Sequence, residues 1–173
     1  MRSSRFWLYY LLLAAVQILL CNSLHITQLL TLWFLPMMVL CIPIRYDTLA
    51  VLPIAFATGM AVDFLTQGVP GLCTVALLPV AFSRNLIIRI VFGGEVFSRG
   101  EDISIRRQGL LKMTLAILTA TALFLLIYLW ADGSFTRPFW FNGTRYFLSL
   151  ACGTLVSVLL VNFLSPEEGS IWK

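Results

Sequence analysis

Apolar residues in this chain come in long runs, separated by short polar or glycine-containing breaks. A helix needs about 20 apolar residues to cross the hydrocarbon core of a bilayer. Six runs approach that length: Phe6–Leu24, Leu29–Ile44, Thr48–Leu65, Leu72–Phe92, Leu110–Ala131 and Arg145–Leu164. The pattern predicts an all-α integral membrane protein, one membrane domain over residues 1–173 folded as a bundle of six transmembrane helices. The second run is short and carries Pro36 and Pro43, which predicts a kinked helix or one shielded by its neighbours. The fourth is ambiguous at its end. Arg84 and Arg89 follow only twelve uncharged residues, so 84–97 reads either as the end of a span or as a helix lying in the interface.

Composition agrees with the pattern. Of 173 residues, 60% are hydrophobic and 12% are charged, and the mean hydropathy is +0.91. A soluble domain of this length keeps far more Lys, Arg, Asp and Glu in water. The net charge of +4 does not point to nucleic acid, because the basic residues flank or interrupt apolar runs instead of gathering on one polar face. Their layout carries topology. With the N-terminus in the cytoplasm, Arg2, Arg5, Arg45, Arg84, Arg89, Arg99, Arg106, Arg107, Lys112 and Lys173 all fall on the inner side. Only Arg137 and Arg145 fall outside. That asymmetry is the positive-inside bias, and it predicts six spans with both termini cytoplasmic. The basic start has no small-x-small cleavage pattern after it and is expected to remain as the first span.

Between the spans there is little room for chemistry. The one sizeable inner loop, Gly93–Gly109, mixes acids and bases and lacks the Gly-Lys-Ser/Thr of a phosphate loop. The outer loop Asp132–Thr144 carries Phe135, Phe139, Trp140 and Phe141, an aromatic group suited to anchoring at the interface. Cys21, Cys41, Cys73 and Cys152 are widely spaced and His25 is the sole histidine, so neither a metal site nor a cofactor site is expected.

The exception is Asp63, the one acid within a predicted span. An Asp in mid-span costs about 2.5–3.5 kcal/mol, while each Leu, Ile, Phe or Val returns about 0.3–0.6. Thr48–Leu65 holds eight of these, enough to insert regardless. Asp63 lies near the outer end of its run, where an acid exposed at the interface is one reading. The other uses its neighbours. Ala55 and Gly59 precede it at four-residue intervals, a small-x-x-x-small face that lets a second backbone approach. Asp63 would then point into a helix seam and accept hydrogen bonds from backbone N–H groups or a hydroxyl. Gly68, Pro70 and Gly71 supply a tight turn into the next run. On this reading Asp63→Asn is expected to be tolerated, since the amide keeps an acceptor. No second acid or histidine stands with Asp63 in a span, so no hydrolytic pair is present and an enzyme is not expected.

The stretch Gly59-Met-Ala-Val-Asp63-Phe-Leu-Thr-Gln-Gly-Val-Pro-Gly71 has a Gly, an Asp four residues on, and a Gly eight after the Asp. It resembles the signature of the MreD family, the rod shape-determining membrane proteins of bacteria. The motif likeness covers Gly59–Asn85. The wider layout over Phe6–Leu164 is similar too: a basic start, Gln17 in the first span, a Pro-bearing second span and an apolar fourth ending in basic residues. The resemblance implies a fold similar to the six-helix S components of vitamin transporters. It implies a non-enzymatic scaffold in the bacterial inner membrane, partnered by MreC and working with MreB, RodA and a class B penicillin-binding protein. Gly59, Asp63 and Gly71 are the motif positions; Gly68 in the turn and Arg84, within the matched stretch, are added as candidates. The competing function is an S-type uptake component for a small molecule such as a vitamin, although the spans offer few polar residues to hold one.

Overall fold

A computed structural model describes residues 2–23, 33–43, 46–66, 71–93, 109–133 and 139–164. Six helices occur among them: α1 (Arg2–Ser23), α2 (Leu35–Leu40), α3 (Thr48–Thr66), α4 (Leu72–Phe92), α5 (Leu110–Gly133) and α6 (Phe139–Leu164). No strand is present among the described residues. Four segments are long and apolar enough to cross a membrane: Thr48–Thr66, Leu72–Phe92, Leu110–Asp132 and Trp140–Asn162. The apolar part of α1, Trp7–Asn22, is shorter. Among the described residues the chain is all-helical, and its four long apolar helices make it a multi-pass membrane protein.

The long helices pack in the order α1, α3, α4, α5, α6, each against the next, and α2 packs on α5, α4 and α1. Their directions follow from side-chain contacts. The Trp7 ring meets that of Tyr46, just ahead of α3, with centroids 6.1 Å apart. One turn further on, Tyr10 shares a 2.9 Å hydrogen bond with Thr58, in the second half of α3. Thus α1 and α3 run in the same direction. The pairs α3/α4 and α5/α6 are antiparallel hairpins.

Two parallel helices in sequence require the chain to return between them. The returning segment is shielded by its neighbours, as expected, while its described helix is much shorter than a span. Of the run Leu29–Ile44, residues 33–43 are described, and within them the helix covers Leu35–Leu40. Six residues rise about 9 Å, against about 30 Å of hydrocarbon. The rest of the described segment is irregular, and it is enclosed by protein. Every residue from Trp33 to Leu40 is buried, with Trp33 packed on Phe124 and Tyr128 at centroid distances of 5.9 and 5.2 Å. Irregular backbone survives at membrane depth only in such a setting. Pro36 sits in the first turn of α2, where its missing N–H costs nothing.

At the other end of the chain, α6 begins at Phe139, so Phe139, Trp140 and Phe141 belong to a helix and not to the outer loop. Arg145, read as the edge of a span, is instead 6% exposed and pairs with Asp132 at 2.7 Å. A charge neutralised in this way no longer has to mark the helix boundary.

Candidate functional site

The turn from α3 into α4 is organised by Asp63, which is 0% exposed. The first N–H groups of any helix lack an intrahelical acceptor. At the start of α4 the residue in the capping position is Gly71, which has no side chain with which to cap. Asp63 does this from the neighbouring helix. Its Oδ2 accepts from the Gly71 N–H (3.0 Å), the Thr74 N–H (3.1 Å) and the Thr74 hydroxyl (2.9 Å), and its Oδ1 accepts from the Cys73 N–H (2.9 Å). Among the described residues, four donors and no acceptor face the carboxylate. The positive end of the α4 dipole adds to the attraction. Interface exposure, the other reading of Asp63, does not match this burial.

The glycines make the approach feasible. A Cβ on Gly59 would lie 2.7 Å from the Thr74 Cα and 3.1 Å from its N, so α3 and α4 touch backbone to backbone one turn below Asp63. Gly71 adopts φ 105°, a left-handed conformation that side chains resist. Gly59, Asp63 and Gly71 therefore belong to one structure, while Gly68 lies outside the described residues. The donor set also corrects the expectation for Asp63→Asn. Both carboxylate oxygens accept main-chain N–H groups, so the amide nitrogen would face a donor whichever way it turned.

Arg84 is elsewhere. It stands ten residues beyond Thr74 on α4, about 15 Å along the axis, and is 1% exposed. Its Nη2 donates to the Ile42 carbonyl and its Nε to that of Leu40, at 3.4 Å. Gln17 plays a matching part at the other end of α2, where Oε1 accepts the Phe34 N–H at 3.2 Å and Nε2 contacts the Cys21 sulfur at 3.1 Å. Two buried polar side chains thus satisfy backbone groups that the broken second segment leaves unpaired. Gln17 and the Pro-bearing run were visible separately; nothing in their spacing links them. Thr74 and Thr58 were missed for the same reason, as isolated hydroxyls in apolar runs have no distinctive pattern.

The remaining polar contacts tie helices together. Asn85 Nδ2 donates to the Thr48 hydroxyl at 2.7 Å, joining α4 to the start of α3. All four cysteines are free thiols. His25, residues 94–108 and the acids within them lie outside the described residues.

No protein-family model, curated protein or solved structure matches the chain.

Proposed function

We propose that the chain is a non-enzymatic membrane scaffold of the MreD type, acting in cell-wall elongation at the bacterial inner membrane through contact with MreC. The observation that carries this reading is the use made of the motif. Gly59, Asp63 and Gly71 are spent on locking a helical hairpin, with the carboxylate enclosed by four donors and none of its oxygens open to a substrate. A residue committed in this way supports action through a rigid surface and not through turnover.

The reading includes six crossings with both termini cytoplasmic. Its support is the parallel course of α1 and α3 together with the places of Phe34 and Tyr46 against α1. Phe34 is bonded to Gln17, and Tyr46 packs on Trp7, ten residues and about 15 Å nearer the start of α1. The second crossing is thus counted as one broken helix plus irregular chain, returning antiparallel to α1.

Depletion in a rod-shaped host is expected to round the cells, and affinity capture of the protein from native membranes is expected to bring down MreC. Retained rod shape with no MreC in the eluate refutes the reading. Reporter fusions at the two ends should both report the cytoplasm; opposite sides refute the six crossings.

A further inference from the structure

Arg84 is a charge with no counter-charge among the described residues. It lies eight residues before the last residue of α4, about 12 Å along the axis. Its Nε and Nη2 are used by the Leu40 and Ile42 carbonyls, which carry only partial charges. Its Nη1 is buried and has no hydrogen-bond partner. Among the described residues the ion pair is Arg145 with Asp132, and no carboxylate is paired with Arg84. Val80, Ala81 and Ile88, on the same face of α4, are buried and apolar. Burying an ionised group in such surroundings is unfavourable unless something pairs with it.

The location adds a second indication. Arg84 stands at the end of α2, where the second crossing changes from helix to irregular chain. Ionisable side chains within membrane-spanning helices face the bundle interior and have functional partners there.

We propose that Arg84, at the C-terminal end of α2, binds a phosphate-type oxyanion, supplied either by a lipid headgroup or as free phosphate. Two features set this chemistry. The open group is a donor, and the neighbouring carbonyls are already occupied, so the ligand must be acceptor-only. It must also bring negative charge to match the guanidinium, which favours a phosphodiester or phosphate over a neutral polar group. The proposal does not rest on the scaffold reading, and either can fail alone.

The test uses full-length protein delipidated in a maltoside detergent and chloride buffer, followed by thermal unfolding. At constant ionic strength one arm adds inorganic phosphate and another adds phosphatidylglycerol, with neutral diacylglycerol as control. Saturating ligand is expected to raise the midpoint by about 5 °C. A response to phosphate assigns the free anion; a response to phosphatidylglycerol alone assigns the headgroup. Arg84→Gln should abolish the shift, and Arg84→Lys should keep part of it. The proposal is overturned if the wild-type protein shifts with neither ligand, if diacylglycerol shifts it equally, or if Arg84→Gln responds as the wild type does. The wild-type arms decide the matter even if the variants do not fold.

Discussion

Thr74 holds Asp63 twice, through its N–H at 3.1 Å and its hydroxyl at 2.9 Å, both to Oδ2. The hydroxyl bond can be removed alone. Thr74→Val should lower stability by about 1–2 kcal/mol, the range for a bond to a charged group moderated by the modest values seen between membrane helices. Asp63→Asn should cost more, about 3 kcal/mol, because a buried N–H then meets another donor. Denaturant titration in detergent measures both. An Asn variant as stable as the wild type would mean that the carboxylate does not cap α4.

The two described glycines of the motif should fail differently. At Gly59 the obstacle is the Thr74 backbone at 2.7 Å, which has no rotamer to yield, so Gly59→Ala should force α3 and α4 apart and cost about 2–3 kcal/mol. At Gly71 there is open space and only the φ of 105° resists, so Gly71→Ala should cost about 1–2 kcal/mol. Equal losses at the two positions, measured under the same unfolding conditions, would contradict the close approach.

Gln17→Leu keeps the bulk of the side chain and removes the acceptor for Phe34. A buried N–H left without a partner costs about 1–3 kcal/mol. Gln17→Glu retains an oxygen for that bond and should lose less than Leu at neutral pH only if the added charge is tolerated. The comparison is therefore best read from the Leu variant and from faster amide exchange at Phe34.

Tyr10→Phe deletes one hydroxyl from the α1/α3 contact. The expected loss is about 0.6–1.7 kcal/mol. Thr58 also donates to the Ile54 carbonyl, so it keeps a partner when Tyr10 is gone. A double-mutant cycle with Thr58→Val should show coupling between the pair; strict additivity would argue that α1 does not run alongside α3 as described.

Some elements were legible in the sequence because bilayer and protein interior impose the same demand. The runs Thr48–Leu65 and Leu72–Phe92 lie within one residue of α3 and α4, and Leu110–Ala131 lies within two of α5. The same equivalence hid α2. Pro36 and Pro43 pointed to a kinked or shielded segment. But a run surrounded by protein has the composition of a run surrounded by lipid, so Leu29–Ile44 did not show that within residues 33–43 the helix would cover Leu35–Leu40 alone. Asp63 was conspicuous as an acid among apolar residues, and its glycines suggested a seam. What it bonds was not readable, because the acceptor preferences of a carboxylate do not specify Cys73 or Thr74. Arg84 reaches carbonyls 44 and 42 residues away, a relationship with no local signature. Arg145 misled for the opposite reason: its distant partner Asp132 removed the penalty that made it look like a boundary.

The broken second segment also bears on biogenesis. The guanidinium that caps Ile42 is translated 42 residues after it, so during synthesis that carbonyl has no protein partner until α4 emerges. Insertion one span at a time would strand irregular backbone in oil. The nascent chain is therefore expected to keep residues 33–43 sheltered in the translocon or near water until α4 arrives, so that α2 and α4 settle into the bundle together.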